Sequence, residues 1–155
     1  MDDRVTIMPY APEDASAFRA LNLTWIGRHF VVEPHDREQL DDPQTHILTV
    51  GGTILVARCG DSVVGVCAVI PEGADRYELA KMAVDPAFQG RGIGGQLCDA
   101  AVDWARTRGA ASLWLESNRR LASALRVYRR AGFEEVPLVP SPYERADIRM
   151  EKKLR

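Results

Sequence analysis

Apolar residues alternate at Val5 and Ile7 in RVTIMPY, the two-residue period of a strand with one buried face. Past Pro12, with Glu13 and Asp14 in a first helical turn, Phe18, Leu21 and Trp25 fall three and four residues apart and predict a helix. Pro34 to Leu40 predicts a short second helix, stopped by Pro43. The runs TILVARC and SVVGVCAVI flank Gly60-Asp61 and predict a hairpin. RYELAKMAV is the next strand, ended by Asp85-Pro86. Ile93, Leu97, Ala101 and Trp104 then stripe one face of a helix that Gly109 closes. ASLWLES reads as a strand. Leu121, Ala124, Leu125 and Tyr128 mark a helix that stops at Gly132, and FEEV and DIRMEKKL are final strands. This order predicts an α/β (α+β) fold, a sheet with helices on both faces. No repeat, low-complexity tract or linker divides the chain, so residues 1–155 read as one domain.

Composition narrows the class. With 46% apolar and 27% charged residues, the chain reads as an ordinary soluble protein with a real core. A net charge of −2 argues against nucleic acid as a partner held by bulk charge. No run approaches the ~20 apolar residues of a membrane span, and the first residues carry no basic leader. Cys59, Cys67 and Cys98 are odd in number and lack CxxC spacing, so a reduced, cytoplasmic chain with buried thiols is expected. His29, His35 and His46 lack zinc-site spacing, are expected on the surface or in loops, and no metal is expected. Trp25, Trp104 and Trp114 are expected in the core.

One stretch runs against local propensity. In FQGRGIGGQL, Gly90, Gly92, Gly94 and Gly95 crowd the start of a helix, where each interior glycine costs roughly 1 kcal/mol relative to alanine. A helix N-terminus has unpaired N–H groups and a positive dipole end, a ready anion site. Residues without Cβ let phosphate oxygens approach those N–H groups closely. A flexible turn with close helix packing is the plainer alternative. The turn is set apart from the dinucleotide fingerprint GxGxxG and from GxxxxGK[ST], whose Lys-Ser/Thr is missing here.

Gln89-Gly90-Arg91-Gly92-Ile93-Gly94 resembles the Q/R-x-x-G-x-G/A signature of the GNAT acetyltransferase superfamily. LAKMAVDP upstream resembles the family's fourth strand. Downstream, Asn118, Leu121, Ala124, Tyr128 and Gly132-Phe133 resemble its closing pattern. Together these motifs cover Tyr77 to Phe133. The resemblance implies a mixed, twisted central sheet splayed between the fourth and fifth strands, with acetyl-CoA as cosubstrate in the gap. Met82, Ala83 and Val84 would offer their backbone to the pantetheine arm. Arg91, Gly92, Ile93, Gly94 and Gly95 would give N–H groups to the pyrophosphate, with Gln89 and Gly90 completing the turn. Asn118 would hydrogen-bond the pantetheine, although many members place an asparagine where Leu121 stands.

The implied activity is acetyl-CoA-dependent N-acetyltransfer, by direct attack of an amine acceptor in a ternary complex. A lysine-like amine has a pKa of about 10.4, so a general base helps at neutral pH. Glu78, eleven residues before Gln89, stands at the offset of the catalytic glutamate in the histone-acetyltransferase branch. The alternative is a structural pairing of Glu78 with an arginine. An N–H near Ala83 would hold the oxyanion. Tyr128, four residues before Gly132, would protonate the leaving thiolate, or serve as a core tyrosine. Arg119, Arg120, Arg126, Arg129 and Arg130 would attract CoA phosphates or form a solvated face. Glu33, Asp36, Glu38, Asp41 and Asp42 suggest an acidic acceptor wall that favours a cationic amine. Ser141, Tyr143 and Arg145 would form the opposite wall, where Arg145 would instead take a carboxylate if the acceptor is an amino acid. The expected partner is a small-molecule or protein amine, and a homodimer is allowed. The rival readings are a catalytically idle CoA-binding or regulatory module on the same fold, and an ATP-binding protein.

Overall fold

The computed structural model describes residues 4–155. Seven strands of these residues form one sheet: β1 (Val5–Pro9), β2 (Thr53–Cys59), β3 (Ser62–Glu72), β4 (Arg76–Val84), β5 (Ser112–Ser117), β6 (Glu134–Val136) and β7 (Ile148–Lys153). Their order is β1-β2-β3-β4-β5-β7-β6. Every neighbouring pair is antiparallel except β4 and β5, which are parallel. The parallel pair requires a crossover, and α3 (Ile93–Thr107) supplies it. The remaining helices are α1 (Ala15–His29), α2 (Pro34–Asp41) and α4 (Ala122–Arg130). Pro43 ends α2 as expected, but the chain then winds again in a π-helical turn, Gln44–Leu48, that buries Ile47.

Both faces of the sheet are covered, and this explains the near-continuous apolar runs of β2 and β3. On one face α3 packs Ile93, Leu97, Ala101 and Ala105 against Leu55, Cys67, Leu113 and Met150. On the other, Phe18 and Ile26 of α1 and Leu40 of α2 meet Ile54, Val56, Val66 and Ala68. Gly65 sets how closely α3 lies on the sheet. A Cβ there would stand 3.0 Å from Ile93 Cγ2 and 3.2 Å from Leu97 Cδ1.

Strands β4 and β5 pair only through Arg76–Ser112, Tyr77–Leu113 and Glu78–Trp114. Past Glu78 they part, which is the predicted splay. On that edge of β4, alternate N–H and C=O groups between Leu79 and Val84 lose a strand partner, and an unpaired edge is a template for an added extended chain. Lys81 adds a second irregularity. Ala80 pairs with Ala68 and Ala83 with Val66, so Lys81 and Met82 together oppose Cys67. This is a β-bulge, and Lys81 takes φ +55°, a left-handed conformation rare for a residue with a side chain.

Candidate active site

The splay opens a groove of about 920 Å³ between the end of β4, the start of α3 and helix α4. Gln89, Gly90, Gly92, Ile93, Gly94 and Gly95 line it, with Met82, Ala83 and Val84 on the strand side. Gly92 caps α3 at φ +79°, and Gly90 sits at φ +80°. Both conformations exclude most side chains, so part of the glycine content serves the backbone. Gly94 is different: its Cβ would make only ordinary contacts, 3.7 Å from Val127 and 3.9 Å from Met82 Sδ. The groove is also strongly cationic. Arg28, Arg120, Arg126 and Arg130 line it, and no carboxylate does. A helix N-terminus, glycines and arginines without acids fit the phosphates of acetyl-CoA. Arg91 stands apart, its guanidinium 4.8 Å over the Phe88 ring.

Gly90, Gly92 and Gly95 do keep the G-x-G-x-x-G spacing, so spacing alone does not set this turn apart from the dinucleotide fingerprint. Topology separates them. Here the glycines follow a fourth strand antiparallel to its predecessor, not the first strand of a parallel βαβ unit.

A smaller cavity of about 90 Å³ adjoins the groove, lined by Glu78, Lys81, Glu116, Tyr143 and Arg145 among others. Met82 and Tyr128 line both spaces, as do Trp25, Phe30 and Leu121. Tyr128 therefore stands where the two meet. Burial, with Cys98 and Cys67 nearby, pushes its phenol above the ordinary 10.0. That keeps the hydroxyl protonated, the state a proton donor needs. Glu78 has no hydrogen-bond or ion-pair partner among the described residues. Burial raises its carboxyl from 4.5 to about 7; Lys81 pulls it back, while Glu116 and Glu72 add to the rise. A carboxyl poised near neutrality suits a general base.

The far wall is a buried ion network. Asp36 is fully buried in the first turn of α2, where its Oδ2 accepts from the Glu33 N–H at 2.9 Å. Arg145 grips it with both arms, Nη1 to Oδ2 at 2.8 Å and Nη2 to Oδ1 at 2.6 Å. Lys81 Nζ lies 2.9 Å from Asp36 Oδ1 and donates to Tyr143 Oη at 2.6 Å. Arg145 also reaches Glu33 Oε2 at 3.2 Å.

This network corrects several expectations. Arg145 is not available for an acceptor carboxylate, because Asp36 and Glu33 occupy its guanidinium. The acids of 33–42 do not form a free anionic wall: Glu33 and Asp36 are neutralised inside, and Asp41 pairs with Arg19 at 2.8 Å. Asn118 lines the small cavity but is engaged elsewhere, donating to the Arg145 carbonyl at 2.8 Å and accepting from the Arg120 N–H at 2.9 Å. In the arginine run, Arg119 pairs with Glu135, while Arg126 and Arg130 face the groove. The histidines lie in helical segments, with His29 and His46 exposed as expected and His35 half-buried, and His29 lines the groove. Trp114 is core, but Trp25 is cavity wall. Lys81 and Glu116 were not among the expected site residues. Lys81 had a signal, a lone lysine inside ELAKMAV. Glu116 shares the two-residue period of Trp114 in LWLES.

The acetyltransferase (GNAT) family model matches residues 17–133. The chain is 39% identical over 72 residues to a [ribosomal protein bS18]-alanine N-acetyltransferase of Salmonella typhimurium, covering 46% of this chain and 49% of that protein. It spans about half the length, or less, of the curated relatives it matches. Among solved structures, an acetyltransferase of the GNAT family from Staphylococcus aureus superposes with a TM-score of 0.89 at 19% identity, over 98% of this chain and 100% of that one. YncA of Salmonella typhimurium, solved with its cofactor acetyl-CoA, gives 0.78 at 20% identity, over 97% and 94%. At these identities the structures speak for the fold, and the family match covers most of the chain. The chain belongs to the GNAT family of acetyltransferases.

Proposed function

We propose that this protein is an acetyl-CoA-dependent N-acetyltransferase that carries out direct transfer to an amine. One observation carries the reading: Tyr128 and Met82 line both the cationic glycine-rich groove and the small cavity that holds Glu78. A donor in the first space and an acceptor in the second would meet beside the phenol. Bound acetyl-CoA supplies a thioester acetyl group and a thiol leaving group.

The chain's residues divide the remaining work. The N–H groups at the start of α3 and the groove arginines hold phosphates. The open edge of β4 aligns the extended arm, and an N–H near the bulge, at Met82 or Ala83, faces the developing oxyanion. Glu78 takes the proton that the amine loses as its nitrogen bonds to the acetyl carbon. Tyr128 O–H gives a proton to the departing sulfur. That donation is uphill, since a thiol titrates near 8.5 and a buried phenol above 10, so it requires the two groups to be held together. Acceptors are small-molecule amines or exposed amines of proteins. The test is thiol release from acetyl-CoA with a panel of amines. Amine-dependent release supports the reading, and tight acetyl-CoA binding without release from any amine overturns it in favour of an idle CoA-binding module.

A further inference from the structure

A general base in a buried cavity needs a positive charge close by, or it keeps its proton. It also needs that charge not to hydrogen-bond to it, because a capped carboxylate is a weaker base. The groups around Glu78 divide on the first count. Burial opposes its ionisation; Lys81, on β4 itself, favours it most strongly, Glu116 on β5 and Glu72 at the end of β3 oppose it, and Arg149 on β7 favours it least. Arg149 is engaged elsewhere, its guanidinium 3.8 Å over the Trp114 ring. From the β6–β7 loop, Tyr143 and Arg145 line the same cavity, and Arg145 is committed to Asp36 of α2 and to Glu33. Helix α1 lines it with the uncharged Asn22, Trp25 and Ile26.

Lys81 stands three residues along β4 from Glu78, and both line the cavity. An ammonium free to turn would pair with the nearest carboxylate. This one is fixed: Nζ lies 2.9 Å from Asp36 Oδ1, donates to Tyr143 Oη at 2.6 Å and sits 4.6 Å from the centre of the Tyr143 ring. Its side chain is buried, and the bulge sets its backbone at φ +55°.

We infer that Lys81 is a positioning residue for the transfer: pinned by Asp36 and Tyr143, its ammonium supplies the positive charge that lets Glu78 ionise in a buried cavity, without occupying the Glu78 oxygens. This rests on the transfer reading above. Charge acts through space, whereas a hydrogen bond needs contact, so a cation held aside helps Glu78 lose its proton and leaves its oxygens for the amine. Asp36 and Tyr143 act on the base only through Lys81.

The test is the pH profile of Lys81→Met. The variant leaves Asp36 its two Arg145 hydrogen bonds and the Glu33 N–H, so the network keeps a counter-ion. The ratio of wild-type to variant kcat, at saturating acetyl-CoA and amine, should be about tenfold at pH 6 and approach parity by about pH 9, because losing the charge moves the Glu78 titration up by about one pH unit. The amine's own titration is common to both proteins and cancels. A ratio that is flat with pH, whatever its size, means that Lys81 only shapes the cavity, and overturns the inference. In a Glu78→Gln background the same change should give a flat ratio; one that still climbs toward low pH overturns the route through Glu78. The 15N signal of the Lys81 ammonium in wild type checks the pinning, whether or not the variant folds. It should stay at its Asp36-bound position as Glu78 ionises, and a move onto Glu78 overturns the inference. If wild type binds acetyl-CoA but no amine releases CoA, the transfer reading itself falls, and this inference with it.

Discussion

Replacing Glu78 with glutamine is expected to make the protein more stable and less active at once. In the folded chain, burial holds the Glu78 carboxyl at about 7, against an ordinary 4.5. Below pH 4.5 both folded and unfolded chains carry the proton, and the group costs nothing. Between 4.5 and 7 the unfolded chain releases it while the folded chain keeps it, so stability falls as pH rises. Above 7 the penalty is complete, about 3 kcal/mol at ~1.4 kcal/mol per tenfold, and less where cavity water screens the charge. Glutamine removes that penalty. Urea unfolding of both proteins from pH 4 to 8 should show equal stability at the acid end and a glutamine variant up to about 3 kcal/mol more stable at pH 8. Activity should move the other way. The ratio of wild-type to variant rates should climb with pH and level off above about 7, reaching about 10²-fold or more for a lost general base. If Glu78 were a structural partner of Lys81 or an arginine, the variant would be less stable at pH 8 and the rate ratio flat. That result would refute the reasoning.

Tyr128→Phe keeps the ring against Phe133 and removes the proton donor; kcat should fall about 10²-fold while the dissociation constant for acetyl-CoA and the melting temperature hold. Gly94→Leu tests the phosphate turn better than a change at Gly92, whose φ of +79° would strain any larger residue. Its side chain would grow from a Cβ already in contact with Val127 and Met82, so acetyl-CoA affinity should drop more than tenfold while urea unfolding changes by no more than about 1–3 kcal/mol. Asp36→Asn leaves Lys81 and Arg145 short of their common counter-ion and should cost about 3–5 kcal/mol in urea unfolding. In wild type, burial opposes ionisation of Asp36, but the Arg145 hydrogen bonds and the Lys81 charge win and lower its carboxyl from 3.8 to about 2. Its stabilisation is therefore present above pH 4 and lost as pH falls through 2, a loss the Asn variant should not show.

The sheet and helices were legible because nearly every strand carries a clear period or a continuous apolar run bounded by turn residues. The glycine turn was legible as an anomaly, because the cost of glycine in a helix called for a compensating contact. Tyr128 and Glu78 were singled out by motif offset, and the structure brings both to the walls of one cavity. What the sequence hid was long-range pairing. Asp36 and Arg145 are 109 residues apart, and their bidentate contact turned an apparent acidic wall into a neutral one. The bulge was hidden for a related reason. One extra residue in β4 shifts the faces that Lys81 and Met82 present, and simple alternation along ELAKMAV does not reveal it.

The contrast between Asp36 and Glu78 shows how one cation serves two purposes. Lys81 lies close enough to lower both carboxyls, yet Asp36 falls to about 2 and Glu78 rises to about 7. The difference is hydrogen bonding. Asp36 accepts from a backbone N–H, two guanidinium nitrogens and the ammonium, whereas Glu78 accepts from no described residue. Lys81 is in turn held by Asp36 and Tyr143, at a backbone angle that a lysine rarely adopts. The strained bulge thus does two things. It disrupts the ladder with β3, across the strand from the open edge, and it places Lys81, whose ammonium joins the α2 network. Glu78 is left without a donor, the arrangement a general base needs if it is to take a proton from an amine in the proposed transfer.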